Sequence, residues 1–264
     1  MDLASPFPLK SHHVDFFHEH GFIKLKHVFS PEEVAYMDRT ITAEVERFNT
    51  EHRPMDQRDT YGKAFLQIMN LWTRSAAVKD IVFSKRLAGI AAGLMGTEGV
   101  RLYHDQALYK EPHGGHTPWH ADQYYWPLAS DKTVTAWIPL QETPMELGPL
   151  EFSAGSFRLT TGRDKAISDE SQDLLEQALT AYGFQRVAEP FSLGEVSFHA
   201  GWLFHRAGPN LTRQMRKVMT VIYMDSQMRL KQPENPNQVQ DHETWCPGAV
   251  AGEVIDTPLN PIIA

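Results

Sequence analysis

From Val100 onward the chain breaks into short runs of Val, Ile, Thr and aromatic residues, and any fold for it has to accommodate that rhythm. VRLYHDQALYK, TVTAWIPL, GPLEF, GEVSFHAGWLFH and KVMTVIYM each have the length and composition of a β-strand. Gly148-Pro149, Gly155, Gly194 and Gly208-Pro209-Asn210 punctuate them as turns. One helix interrupts: Ser168 can cap SDESQDLLEQALTAY, which has acids in its first turn and Gly183 at its end. Upstream the pattern is helical. Ser30-Pro31-Glu32-Glu33 forms a capping box with proline in the first turn, and predicts a helix to about Phe48 burying Val34, Met37, Ile41 and Val45. A second helix is expected between Ser84 and Gly96, residues 49–62 read as polar loop, and the turn-rich tail after about Lys231 is expected to wrap the surface. Helices first and many short strands after predict a mainly β fold with flanking helices, an antiparallel sandwich or jelly roll buttressed on one sheet. We expect a single domain over 1–264, with a helical part at about 12–96 and a β core at about 100–225.

Composition removes several function classes. No run in MDLASPFPLKSHH suits a signal peptide and no stretch approaches a membrane span, so the cytoplasm is the expected location. A formal charge of -8 argues against nucleic acid or an anionic membrane as the main partner. The single cysteine, Cys246, excludes an internal disulfide and a Cys-based zinc cluster. There is no repeat, no βαβ alternation, no Gly-rich phosphate loop and no Gly-x-Ser-x-Gly elbow. Histidine is the enriched type, with 13 copies. Four of them, His12, His13, His18 and His20, crowd a short segment with Asp15 and Glu19 that reads as a solvated helix face.

The stretch HTPWHADQYYWP carries a His-x-Asp pair, His120 and Asp122. The same spacing recurs at His13 and Asp15, so the pair alone decides nothing. On extended backbone, residues i and i+2 share a face, so the imidazole and the carboxylate would converge on one ion. His205, which ends WLFH before a Gly-Pro-Asn turn, is the best third ligand. Two histidines and a carboxylate on one face of a metal leave open positions suited to non-haem Fe(II) and oxygen. Each residue alone reads equally as a core histidine, a turn aspartate or a carbonyl-bonding histidine. His199 lies an even six residues before His205, but Ala200-Gly201 reads as a turn, so we assign it a supporting or structural role. His104, His113 and His116 offer a zinc-like alternative, which the flexible Gly114-Gly115 between them weakens.

With YHDQALYKEP, TPWHADQYYWP, TAWIPL, GPLEFSAGS and HRAGPNLTRQMRKVMTVIY in view, roughly residues 14 to 225 resemble the phytanoyl-CoA dioxygenase family. The resemblance implies a double-stranded β-helix, cupin-like in architecture, using Fe(II) and 2-oxoglutarate. It implies iron ligands at His120, Asp122 and His205. It also implies an arginine eleven residues after the distal histidine, gripping the far carboxylate of 2-oxoglutarate; that arginine is Arg216. Arginine suits the task physically, because it stays ionised when buried and its fork matches a carboxylate. Arg213 is the rival, eight residues on and within the turn. Trp137 and Gln106 are expected to line the same pocket by this resemblance. Two departures stand out: Ala207 occupies a place that often holds a hydroxyl, and Phe157 follows Gly155-Ser156 where a histidine is familiar.

The implied reaction couples decarboxylation of 2-oxoglutarate, to succinate and CO2, with O2-driven oxidation of an unactivated C–H. Retention of Asp122 favours hydroxylation over halogenation, since related halogenases replace this carboxylate with a small residue. For the substrate, a small metabolite, we expect contacts from Tyr124, Tyr125, Trp126, Phe157, Arg158 and Asn70, with Met69 and Trp72 near the last and Arg206 able to meet an anion. The acidic net charge offers no broad patch for the phosphates of an acyl-CoA. Two other classes stay open: a cupin-type metalloenzyme with no use for Arg216, and a non-catalytic small-molecule-binding jelly roll.

Overall fold

The computed structural model of the chain describes residues 2–264, the side chain of Tyr61 excepted. The strands are β1 Phe22–Leu25, β2 Leu66–Met69, β3 Val100–Lys110, β4 Thr117–His120, β5 Thr133–Pro139, β6 Leu150–Ser153, β7 Arg186–Ala188, β8 Val196–Ala200, β9 His205–Ala207 and β10 Arg216–Asp225. They form two antiparallel sheets, ordered β1-β8-β5-β10-β3-β2 and β4-β9-β6-β7. Apart from the β2–β3 and β6–β7 pairs, hydrogen-bonded neighbours are non-consecutive in the chain, which gives the jelly-roll winding expected of the double-stranded β-helix. β1 and β2 come from the helical N-terminal part yet extend both edges of the larger sheet. The helices are α1 Ser11–His20, α2 Pro31–Phe48, α3 Thr60–Ala64, α4 Ala76–Val82, α5 Lys85–Met95, α6 Asp169–Ala181 and α7 Pro236–Trp245.

The capping signals act as read. The Ser30 side chain accepts from the Glu33 amide while Glu33 answers the Ser30 amide, and α2 buries Val34, Met37, Ile41 and Val45. Ser84 and Ser168 cap α5 and α6 in the same way, by accepting from an amide three residues on. Two expectations need correction. The segment 49–62 is not all loop, because a single helical turn forms at Met55–Gln57 and α3 begins at Thr60. The tail is not all turn either: Asn235 accepts from the Gln238 amide, Pro236 takes the first helical position, and α7 follows.

Strand alternation divides the larger sheet between two jobs. Val134, Ala136 and Ile138 on β5, with Met219, Val221 and Tyr223 on β10, pack outward under α2 and α5. Each fully buried Val, Ile or Met among them stabilises the fold by about 1.5–3 kcal/mol relative to exposure. The alternate residues, Thr135 and Trp137 on β5 with Arg216 and Thr220 on β10, face a cavity between the sheets. Two irregularities break the alternation. The β3–β10 register slips so that Ile222 pairs with His104 but Tyr223 with Leu102, leaving Tyr103 as the extra residue of a bulge. On the smaller sheet Thr117 pairs with Ala207 and His120 with His205, three steps on one strand against two on the other. Thr117 and His120 therefore both face the cavity despite their odd spacing. Among the described residues no helix is long and apolar enough to cross a membrane.

Candidate active site

β4 ends at His120, and Asp122 opens a single helical turn, Asp122–Tyr125, so the pair does not share one strand as expected. Ala121 between them is extended (φ −122°, ψ 127°), which preserves the convergence that the i, i+2 spacing requires. His205 opens β9 directly opposite His120. One donor atom from each of His120, Asp122 and His205 lies within 4.8 Å of the others. Asp122 Oδ1 is 3.5 Å from His120 Nε2 and 3.7 Å from His205 Nε2.

The surroundings prepare these atoms for a cation. His120 Nδ1 lies 2.8 Å from the Pro118 carbonyl and His205 Nδ1 lies 3.0 Å from the Leu203 carbonyl. A carbonyl only accepts, so each Nδ1 holds the proton and each Nε2 presents a lone pair to the shared point. Burial, with His120 and His199 alongside, holds the His205 imidazole well below its usual range and hence neutral. Burial alone would raise the Asp122 carboxyl, but His205, His120 and His199 outweigh it and hold it well below the usual carboxylate range. Its second oxygen is occupied: Thr135 Oγ1 donates to Oδ2 at 3.1 Å and His199 Nε2 lies 3.3 Å from it. His199 thus contacts Asp122 from β8, while its own Nδ1 is buried without a partner. The donor set, two neutral imidazoles and one carboxylate on one side of a cavity, fits a divalent non-haem iron.

That cavity, of about 530 Å³, also contains Arg216. The arginine is buried, its Nη1 donates to the Gly148 carbonyl at 2.6 Å, and its Nε has no partner. Burial pushes its guanidinium down to about 10, and no acid pairs with it among the described residues. Trp137 lies under the guanidinium, 5.6 Å from ring centre to charge. Gln106, Thr220 and Trp137 form one rung across β3, β10 and β5, and all three line the cavity. Thr117 escaped the sequence reading. Its hydroxyl is buried and unpartnered, it lines the cavity, and it pairs across the ladder with Ala207. A hydroxyl absent at Ala207 is thereby available from the neighbouring strand. A buried cation and a buried hydroxyl, both short of partners, fit an anionic chelator such as 2-oxoglutarate.

The residues expected at the substrate rim divide. Tyr125 and Trp126 line the cavity, with Met69. Tyr124 does not; its hydroxyl accepts from Asn237 of α7 at 3.1 Å. Phe157 and Arg158 lie outside the cavity wall: Phe157 packs at Gly21, and Arg158 donates to the carbonyls of His18 and Glu19. The single turn at Ser156–Arg158 points them toward α1 instead of inward. Asn70 is turned away as well, accepting from the Asp105 amide in a left-handed conformation (φ 49°). It borders a second cavity, shared with 48–53 and 59–74. Arg206 does reach the wall, but Glu151 (2.8 Å) and Glu176 (3.0 Å) already neutralise it. His113 and His116 are not part of the cluster.

The profile of the family described as phytanoyl-CoA dioxygenase (PhyH) matches residues 17–218. The chain belongs to the phytanoyl-CoA dioxygenase family. A probable alpha-ketoglutarate-dependent hypophosphite dioxygenase of Stutzerimonas stutzeri is 24% identical over 218 residues, covering 77% of this chain and 74% of that protein. Among solved structures, the non-heme alpha-ketoglutarate-dependent carbocyclase SnoK from nogalamycin biosynthesis superposes with a TM-score of 0.80 at 24% identity, over 99% of this chain and 100% of that one. EctD from S. alaskensis, solved with 2-oxoglutarate and 5-hydroxyectoine, superposes with a TM-score of 0.73 at 22% identity, over 98% and 91% of the two chains. The phytanoyl-CoA dioxygenase match ends within β10, so α7 and the rest of the tail lie outside it.

Proposed function

We propose that this phytanoyl-CoA dioxygenase family member is an Fe(II)- and 2-oxoglutarate-dependent dioxygenase that hydroxylates an unactivated C–H of a small metabolite, consuming O2 and releasing succinate and CO2. His120, Asp122 and His205 would hold the iron, and Arg216 the distal carboxylate of the oxo acid. The observation that carries the reading is the buried Arg216, without an acidic partner, in the same cavity as the triad. A cupin-type enzyme that ignores 2-oxoglutarate would bury that charge to no purpose.

Iron bound there supplies O2 activation coupled to decarboxylation of the oxo acid. The protein's part is placement. The carbonyls of Pro118 and Leu203 fix the two tautomers, and Thr135 with His199 engages Oδ2, leaving Oδ1 beside the two Nε2 atoms as the oxygen that would hold the iron. Arg216 supplies the fixed positive charge, Thr117 a free hydroxyl, and Trp137 with Gln106 the walls between them. Tyr125, Trp126 and Met69 line the cavity with bulky side chains that exclude water from the reacting centre. We take 1–264 as one oxygenase domain, and a reducing compartment such as the cytoplasm suits an enzyme that needs its iron ferrous.

The test is an anaerobic titration of the Fe(II)-loaded protein with 2-oxoglutarate, following the weak visible charge-transfer band of the chelate, repeated on Arg216→Ala. A band that needs far more 2-oxoglutarate in the variant supports both assignments. Metal uptake with no band at millimolar 2-oxoglutarate would reject the cofactor and leave the cupin-type reading.

A further inference from the structure

The tail beyond the family match builds part of the cavity wall. Asn237, Gln240, Asp241, Thr244 and Trp245 all line it, at the i, i+3, i+4, i+7, i+8 spacing of one helical face. α7 is tied to the metal turn itself, since the Gln238 side-chain Nε2 donates to the Tyr124 carbonyl at 3.0 Å. The charged residue on this face is Asp241. Its Oδ2 accepts from the Tyr103 hydroxyl at 3.0 Å, and the Trp245 side chain also donates to it. These are two neutral donors on a carboxylate that can accept about four. No cation acts on Asp241 among the described residues.

The bulge on β3 creates this corner. It turns Tyr103 toward Asp241 while His104, the next residue, still lines the cavity. His104 is buried with its Nδ1 unpartnered, its ring lies tilted 5.3 Å from that of Trp245, and burial keeps it neutral, down to about 3. It therefore offers a hydrogen bond but no charge. The opposite end of β3 carries Lys110, paired with Arg216. Six residues of strand separate His104 from Lys110, roughly 20 Å. Tyr125 feels the charges of both Asp122 and Asp241, which puts the acidic corner near the metal turn, away from Arg216. The cavity thus has a cationic end with a defined client and an anionic end without one.

We infer that the substrate carries a protonated amine, bound by the Asp241 carboxylate among Tyr125, Trp126 and Trp245. An ammonium gives a buried carboxylate the counter-charge that its two neutral donors do not, and aromatic walls favour a cation over a neutral hydroxyl. A carboxylate- or phosphate-bearing substrate is repelled here, and Arg206 is already engaged by two glutamates. Asp241 is therefore a specificity-determining residue supplied by the tail. This assignment rests on the cavity being the oxygenase active site.

The experiment uses the anaerobic Fe(II)–2-oxoglutarate protein and a panel of small cyclic and linear amines, each matched with its alcohol and its carboxylic acid. Binding is read from the change in the charge-transfer band and from thermal shift. Amines are expected to bind about tenfold more tightly than their matched alcohols. Asp241→Asn should erase that preference while leaving the 2-oxoglutarate titration unchanged. Without any variant, amine affinity should fall roughly tenfold from pH 8 to pH 6, because burial pushes the Asp241 carboxyl up to about 7. The groups facing it stay uncharged in that window: Tyr103, Tyr125 and Cys246 are all raised and His104 is lowered. Hits spread evenly over the three classes, or confined to acids and alcohols, overturn the inference. So does a wild-type preference that Asp241→Asn leaves intact, which would make Asp241 only a tie between α7 and β3. If 2-oxoglutarate gives no band with wild type, the oxygenase reading fails separately. The amine preference is then read by thermal shift on the metal-free protein, where an absent preference rejects it.

Discussion

Replacing Arg216 by methionine should make the ligand-free protein more stable while abolishing its response to 2-oxoglutarate. The guanidinium is buried, and burial takes it from the usual 12.5 to about 10. At about 1.4 kcal/mol per pH unit, that drop corresponds to a cost of roughly 3 kcal/mol for holding the charge inside the protein. Arginine stays protonated across any practical assay pH, so this cost does not vary with buffer. Against it stands one charged hydrogen bond, to the Gly148 carbonyl at 2.6 Å. Losing that bond offsets about 1.5 kcal/mol of the gain. Methionine fills a similar linear volume, so the net stabilisation is about 1–2 kcal/mol. For a chain of this size that raises Tm by roughly 2–8 °C. Wild type should instead gain from the ligand: with Mn(II) in place of iron, 2-oxoglutarate at a hundred times its Kd adds about 2.7 kcal/mol. Differential scanning fluorimetry of both proteins, with and without ligand, reads all four states. An Arg216→Met protein that melts lower than wild type and still shifts fully with 2-oxoglutarate would refute the reasoning, because the arginine would then be structural.

Three further outcomes follow from the same geometry. Thr117→Val removes an unpartnered buried hydroxyl, so it should leave the apo Tm nearly unchanged but weaken 2-oxoglutarate binding about fivefold to tenfold, roughly one hydrogen bond; Thr117→Ser should restore it, and calorimetric titration measures both. His205→Ala should lose nearly all Fe(II) or Co(II) retention in equilibrium dialysis while remaining folded by circular dichroism, since burial already keeps this imidazole neutral in the apo protein. For pH, burial lowers His104 from 6.5 to about 3. The unfolded chain therefore binds the extra proton first, and stability present above 6.5 is lost as pH falls toward 3. Between pH 7 and pH 5 that loss is about 2 kcal/mol, and His104→Phe, assayed metal-free by urea unfolding, should lose less by that amount.

Which parts of the site could be read from the chain depends on how each residue reaches the cavity. His120 and Asp122 were legible because their convergence is local: one extended residue, Ala121, is enough, and it survives even though the strand ends before Asp122. His205 was legible as the histidine ending an aromatic run before a turn, and Arg216 only through the eleven-residue spacing that the family resemblance implies, which runs from the start of β9 to the start of β10. Thr117 was not, because its offset of three from His120 assigns it to the far face unless a bulge intervenes, and the bulge is set by pairing with β9. Tyr103 was hidden by the matching slip on β3. His199 sits six residues before His205 across a change of sheet, so the shared face it does have with Asp122 could not be trusted from parity. Phe157 and Arg158 failed for the opposite reason. Nearness in sequence to a conspicuous turn placed them at the rim, but a single helical turn rotates them onto α1. The tail shows the limit most clearly. Asn235 followed by Pro236 is a helix start by the rules that identified α2, yet the surrounding prolines and asparagines made the segment look like loop. Even a correct helix assignment would not have shown that its polar face completes the cavity, since docking onto Tyr124 is a tertiary event with no local signal. The proposed metal ligands were legible from local backbone geometry, and the proposed oxo-acid anchor from the spacing that the family resemblance implies. The wall that we assign to substrate selection was not, because the tail has to return to the cavity between the sheets to build it.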